Sequence, residues 1–381
     1  MGSLLIESLQ IQRYRGFKEL AIPRLGRLNL VTGKNNTGKT SILEAIRILA
    51  HRSVPPAVMG VLVSILDTRE ELRARATTWA SSAPEDGSDG LSVPGVHHLF
   101  FDRSLPSPDE PPIRIGTVDK PNLLEIGLEW YESADRGGSQ GNLDLDEQQT
   151  RTFQPALTIR SDGSKSVRFP LSRIDQPGPL RPGLRYFPSP HSGRAGCVFV
   201  ASREFQPRDI GRLWDAISLT PDEDTVVEAL RLISPEVERI ALGMPDDSRS
   251  PLPVRAKLQG AREPVPLKSL GEGLHRIFAI ALALVNARDG VLLLDEVENG
   301  LHYTVQTDLW RLIARVAADL NVQVFATTHS HDCLLAFEQA ARESPEEGIV
   351  TRLQRNQDRV RVTSFDEPEL AIVAREAIEI R

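Results

Sequence analysis

The chain has 381 residues, with 45 Lys+Arg against 52 Asp+Glu and a net charge of −7. This length holds one large domain or a few smaller ones. The acidic balance gives no global case for nucleic-acid binding, and aromatics at 5% are too few for an extended base-stacking platform. The longest apolar run, Ile277 to Val285, is too short to cross a bilayer. Met1 to Ile6 is too short for a signal-peptide core and is followed by Glu7. A soluble, cytoplasmic protein without membrane association is expected. Cys197 and Cys333 lie far apart without metal-type spacing and read as reduced, buried thiols.

Leu4 to Gln12 alternates as a strand, Arg15-Gly16 breaks it, and Phe17 to Ile22 returns antiparallel. After Pro23 and Gly26, an apolar run from Leu28 to Val31 leads into Gly33-Lys34-Asn35-Asn36-Thr37-Gly38-Lys39-Thr40. Ser41 to Leu49 then has helical periodicity. A glycine-rich loop ending in Lys-Thr between a strand and a helix is a phosphate-binding loop. Its glycines turn backbone N–H groups inward. Lys39 reaches the β- and γ-phosphates, the Thr40 hydroxyl ligates Mg²⁺, and the helix N-terminus favours the anion. ATP and Mg²⁺ are therefore the expected ligands, with Gly33 through Ser41 as the contact segment.

Met59 to Trp79 reads as one or two amphipathic helices, and residues 80 to 122 as long loops. Leu123 to Tyr131 alternates as a strand, and Phe153 to Ile159 and Val167 to Leu171 do so more weakly. Residues 132 to 150 and 172 to 196 read as loops, and Gly196 to Ala201 as a short buried strand. Asp222 to Leu242 reads as one helix, with Val226, Leu230, Ile233 and Val237 on one face. Basic residues predominate from Arg151 to Arg212, including Arg181, Arg185 and Arg194. This stretch is either a partner or nucleic-acid face or a solvated surface.

Beyond residue 267 the pattern becomes compact: a turn at Ser269 to Gly273, a helix over Leu274 to Ala287 and an aliphatic strand over Val291 to Leu294. A helix over Tyr303 to Leu320, a strand over Val322 to Thr327 and a helix over Asp332 to Arg342 follow. Strands alternating with helices predict a parallel sheet covered on both faces. A hairpin, Ile349 to Leu353 with Val360 to Thr363, and a helix over Glu367 to Ile378 close the chain.

Three further constellations carry chemistry. Val291-Leu292-Leu293-Leu294-Asp295-Glu296 is a Walker B pattern: a buried strand delivers Asp295 to Mg²⁺ beside Thr40, and Glu296 orients the attacking water. Ser269-Leu270-Gly271-Glu272-Gly273 precedes a helix and is either an ordinary cap or an anion site closing over a nucleotide on another subunit. Thr327-Thr328-His329-Ser330 ends the next strand, where His329 can contact the γ-phosphate. His329, His331 and Asp332 also form a short metal-type spacing.

The order of these elements resembles that of ABC-type ATPases. Asp295-Glu296-Val297-Glu298-Asn299-Gly300-Leu301-His302, Asn35-Asn36 and the opening Ile11 to Phe17 resemble the SMC, RecF and OLD branch, and most closely compact OLD-like ATPases of prokaryotic anti-phage defence. The resemblance covers residues 1 to 50 and 265 to 335. It implies an α/β P-loop NTPase with an ABC-type head, a mostly parallel sheet, an antiparallel β lobe and a helical insert. The expected core is 1–51 and 257–381, with lobe and insert in 52–256. It also implies catalytic roles for Lys39, Glu296 and His329, a metal site at Thr40 and Asp295, and trans contacts from Ser269, Gly271 and Gly273 in a homodimer. Leu270 stands where the usual signature has glycine, and no Q-loop glutamine is placed. The chain is too short after His329 for the TOPRIM nuclease that OLD proteins often carry, so a separate nuclease or toxin partner is expected. A RecF-like repair ATPase that engages DNA directly is the alternative.

Overall fold

The computed structural model describes residues 4–71, 95–107, 109–134, 151–171, 196–202, 207–243, 254–344, 348–356, 359–366 and 369. The chain runs through β1 (Leu9–Tyr14), β2 (Phe17–Ile22), β3 (Leu28–Gly33), α1 (Lys39–Ala50) and α2 (Pro55–Thr68). It continues through β4 (Ile113–Gly116), β5 (Leu124–Ala134), β6 (Arg151–Ser161), β7 (Val167–Pro170) and β8 (Cys197–Val200). Then come α3 (Pro207–Ile217), α4 (Pro221–Arg231), β9 (Val237–Leu242), β10 (Val254–Leu258), β11 (Val265–Pro266), α5 (Glu272–Asn286) and β12 (Val291–Leu294). The last elements are α6 (Tyr303–Asp319), β13 (Gln323–Thr327), α7 (His331–Glu343), β14 (Gly348–Asn356) and β15 (Arg359–Phe365).

Two compact units result. One comprises Met1–Leu9, Leu20–Ala50 and Phe187–Arg381, the other Gln10–Glu19 and His51–Tyr186. The stretch 187–256, read from sequence as part of the insert, thus groups with the first unit. The apolar faces of α3 and α4 explain this: Ile210, Trp214, Val226 and Leu230 are buried in the same core as α5 and β12.

The first unit is built on a six-stranded sheet of order β15-β14-β3-β13-β12-β8. All pairs are parallel except the terminal hairpin β14–β15. Every residue of β3, β12 and β13 is buried, the aliphatic signature of a parallel sheet covered on both faces. Successive strand residues face opposite ways. Leu28, Leu30, Leu292, Leu294, Val324 and Ala326 accordingly join the core built by α3 to α7, while α1 lies against β3, β12 and β13. A small antiparallel sheet, β11-β10-β9, belongs to the same unit.

The second unit carries a sheet of order β2-β1-β4-β5-β6-β7, with β4 through β7 paired antiparallel. The apolar helix α2, which starts at Pro55-Pro56, lies against β6. This is the antiparallel lobe expected from the sequence.

Three expectations change. The helix read over Asp222 to Leu242 ends at Arg231, and Val237–Leu242 is strand β9. Pro235 is the reason, because it drives the preceding residue out of helical conformation. Within the long loop read over 80 to 122, Ile113–Gly116 pairs with both β1 and β5. The first strand is Leu9–Tyr14, shifted from Leu4–Gln12. The C-terminal helix expected from Glu367 falls almost wholly outside the described residues, as do Arg173, Arg181, Arg185, Arg194 and Arg203.

The packing of α6 on α7 centres on Trp310, which meets Phe337 edge-on with ring centroids 4.9 Å apart and is fully buried. Trp310→Ala is expected to cost about 3–5 kcal/mol of stability, read as a lower urea midpoint. A loss below about 1 kcal/mol would show that this contact does not hold the helices.

Candidate functional site

Parallel register decides where the site forms. Thr327 lies beside Val31, Ala326 beside both Leu30 and Leu294, and Leu294 beside Val200. The C-terminal ends of β3, β12 and β13 therefore share one sheet edge, where open α/β sheets bind ligands. From that edge emerge the loop after Gly33, the acids after Leu294 and the segment after Thr327.

Gly33 has φ 147, and a Cβ there would come within 2.6 Å of the Leu353 carbonyl oxygen, so only glycine fits where β3 passes β14. Lys34, Asn35 and Asn36 form the exposed tip of the loop, with Asn36 at φ 64 and Gly38 at φ 101. Thr37 Oγ1 donates to the Lys34 carbonyl at 2.8 Å. Lys39 Nζ donates to the carbonyls of Gly33 at 2.7 Å and Lys34 at 3.3 Å, which holds its charge inside the loop. Burial lowers the Lys39 pKa below the usual lysine value, while Glu296, Asp295 and Glu298 oppose that shift. Ser41 is buried in the first turn of α1.

Asp295 is 7% exposed. Thr327 Oγ1 donates to its Oδ1 at 2.7 Å, and Thr40 Oγ1 lies 3.1 and 3.2 Å from its two oxygens. Burial raises the carboxyl above its usual value. The Thr327 and Thr40 hydroxyls counter that, and nearby Glu296 and Glu44 reinforce it. Thr327 Oγ1 also accepts the Glu296 N–H at 2.8 Å. One hydroxyl thus fixes both acids.

Glu296 has φ 47, and its Oε2 accepts from Asn299 Nδ2 at 2.7 Å. His329, whose side chain is 48% exposed, stands between two carboxylates: its Nδ1 is 3.2 Å from Glu298 Oε1 and 3.8 Å from Glu296 Oε1. The His329 N–H also donates to Glu298 Oε1 at 3.0 Å. Glu298 itself is buried.

The structure therefore brings Lys39, Thr40, Asp295, Glu296 and His329 into one neighbourhood. Ser269, Gly271 and Gly273 lie at the start of α5, where Gly273 passes close to Gly300 in the turn after the two acids. Gly271 (φ 107) and Ser269 are exposed there, and Ser269 Oγ donates to the Pro266 carbonyl at 2.6 Å. The short spacing of His329, His331 and Asp332 forms no metal-type cluster among the described residues.

Sequence reading assigned no role to Thr327, Glu298, Asn299 or Arg276. Arg276 carried a visible signal, because a charge inside the apolar run Leu274 to Val285 needs buried partners. Thr327 and Glu298 had none, since their partners are set by strand register, while Asn299 meets Glu296 within the turn they share.

A phosphate loop, a buried aspartate followed by a glutamate at a strand end, and a parallel sheet that brings them to one edge define a P-loop ATPase. Residues 199–336 match the family described as "AAA domain, putative AbiEii toxin, Type IV TA system", and residues 5–76 match "AAA ATPase domain". The chain is similar to an "ATP/GTP phosphatase" of Helicobacter pylori, 24% identical over 357 residues and 89% of each chain. It is also similar to the "DNA replication and repair protein RecF" of Idiomarina loihiensis, 31% identical over 97 residues, or 25% of this chain and 27% of that protein. Among solved structures, the Smc head domain of Pyrococcus furiosus bound to the C-terminal domain of ScpA overlays 98% of this chain and 99% of its own, with a TM-score of 0.47 and 12% identity.

Thr327→Val keeps the shape but removes the donor to the buried Asp295 carboxylate and the acceptor of the Glu296 N–H. It is expected to cost about 1–3 kcal/mol of stability and to lower the ATP turnover number about tenfold. Phosphate release and thermal unfolding measure the two effects. Wild-type values in both would remove Thr327 from the site.

Proposed function

We propose that this protein is an ATP-driven switch. It hydrolyses ATP with Mg²⁺ in a head-to-head dimer and controls a separate nuclease or toxin, in the manner of OLD-like defence ATPases. The observation that carries the reading is the hydroxyl–carboxylate chain Thr40–Asp295–Thr327 with Glu296 attached to its end.

The donor set fits a magnesium ion: Thr40 and Asp295 present hard oxygen donors side by side, as small divalent cations require. When bound, the ion would neutralise phosphate charge and polarise the γ-phosphoryl group. Lys39 and the loop N–H groups hold the phosphates. Glu296, with Oε2 restrained by Asn299, uses Oε1 to accept a hydrogen bond from water and point it at the γ-phosphorus. Water adds there as the bond to the β–γ bridging oxygen breaks, giving ADP and phosphate. His329, fixed by Glu298, faces the γ-phosphate.

The exposed start of α5 supports assembly in trans. Helix N-termini favour anions, and Ser269, Gly271 and Glu272 at this one are exposed. The toxin–antitoxin wording of the family matched by residues 199–336 supports an effector partner. A second reading, direct action on DNA, is favoured by the RecF similarity. Against it, Arg160 and Arg168 of the basic stretch are ion-paired with Glu125 and Glu129. DNA affinity that falls steeply with salt would support the DNA reading.

Glu296→Gln is expected to bind ATP normally and accumulate an ATP-bound dimer with turnover lowered at least about a hundredfold. Size-exclusion chromatography and phosphate release would read this, and wild-type turnover would refute the role. Ser269→Arg and Lys39→Ala chains, each inactive alone, are expected to regain some activity when mixed, a fraction of the wild-type rate. The mixed dimer has one site with intact Lys39 facing an intact Ser269. No recovery in demonstrated mixed dimers would remove the trans arrangement.

A further inference from the structure

Arg276 sits in the second turn of α5, 9% exposed, between buried Leu274 and Ile277. A guanidinium this deep ordinarily has a carboxylate partner. Its hydrogen bonds run to main-chain carbonyls instead. Nη1 donates to Ala201 O at 2.6 Å, and Nη2 donates to Asp295 O at 2.7 Å and Glu296 O at 3.0 Å. Its Nε finds no acceptor among the described residues. A cation is thus spent on the backbone of the two acids, with one donor left unsatisfied.

The backbone it grips is strained. Glu296 is in the left-handed region at φ 47, which costs an L-residue about 1–2 kcal/mol. Such a conformation persists only where neighbours over-determine it. Here Thr327 holds the Glu296 N–H, Arg276 its carbonyl and Asn299 its side chain. Two of these anchors belong to the sheet edge and the turn after it. The third belongs to α5, whose N-terminus is the exposed Ser269–Gly273 segment. That N-terminus also packs on the same turn: a Cβ on Gly273 would come 2.9 Å from the Gly300 carbonyl oxygen. The start of α5 therefore touches the acid segment in two places.

We propose that Arg276 is a positioning residue that couples the Ser269–Gly273 helix start to Glu296. Anion capture at that start then aligns the water-orienting carboxylate of the same chain. The inference rests on the trans arrangement proposed above and adds a consequence. ATP held by the partner is sensed by α5 of this chain and promotes hydrolysis of this chain's own ATP, so the two sites act together.

The test compares Arg276→Met, Arg276→Lys, Ser269→Arg and the Ser269→Arg/Arg276→Met double variant as full chains, measuring ATP turnover and ATP affinity. Arg276→Met is expected to lower the turnover number by on the order of 10- to 100-fold with ATP affinity within about twofold of wild type. Arg276→Lys, which keeps the charge and reaches some of the carbonyls, is expected to recover part of the loss. Ser269→Arg should cost the wild type at least about tenfold but the Arg276→Met chain less than about threefold more, the mark of a shared pathway. If the two losses multiply, Arg276 is not the link, and the trans arrangement stands. If Ser269→Arg alone changes nothing, the trans arrangement falls and this inference with it, leaving the role of Glu296 intact. Affinity lost in proportion to turnover would mark Arg276 as merely structural. Should Arg276→Met unfold, Arg276→Lys carries the test, and wild-type turnover in it overturns the proposal.

Discussion

Asp295 carries a carboxylate into the edge of an aliphatic sheet, and the rest of the site is organised around keeping it there. An ionised carboxylate without partners in such surroundings is prohibitively costly. Two hydroxyls meet it: Thr40 from the first turn of α1 and Thr327 from the end of β13. Neither is near Asp295 in the chain. They arrive because β13 lies between β3 and β12 in the sheet, in parallel register with both. A one-residue slip of β13 would turn Thr327 to the opposite face and leave both Asp295 and the Glu296 N–H short of a partner. Register, core packing and chemistry are therefore one constraint.

The charge distribution follows from this. Asp295, Glu296 and Glu298 act on two buried cations, Lys39 and Arg276, and Glu296 and Glu44 act on Asp295. Lys39 is folded against loop carbonyls and Arg276 against strand-end carbonyls. Burial lowers the pKa of both while the neighbouring carboxylates oppose the shift. The carboxylates thus outnumber the cations at an edge suited to a triphosphate.

The second unit follows different physics. Its antiparallel sheet carries cross-strand charge pairs, Arg114 and Arg160 flanking Glu125 and Arg168 beside Glu129. Glu125 is buried, while the exposed Arg168–Glu129 pair contributes little to stability, and together they neutralise Arg160 and Arg168 of the basic stretch.

Local sequence settled every element whose signal lies within one turn or one strand. The phosphate loop was readable because its chemistry needs glycine, lysine and threonine at fixed spacing. The strand at Val291–Leu294 was readable because four aliphatics followed by two acids have few alternatives. Short-range patterns misled where a breaker was underweighted, as at Pro235, which ends helical periodicity that Val237 seemed to continue. They were silent where pairing is long-range, as for β4, whose four residues make sense only between β1 and β5. The same division runs through the site. Lys39, Thr40, Asp295, Glu296 and His329 were named from the chain. Tertiary structure alone decided that Thr327 would bridge the two acids, that Glu298 would restrain His329, and that Arg276 would reach the Walker B carbonyls from α5. The Thr327 and Glu298 contacts are selected by sheet order and parallel register and the Arg276 contacts by the packing of α5, which arise from burying elements far apart in sequence and leave the partner unnamed in the chain.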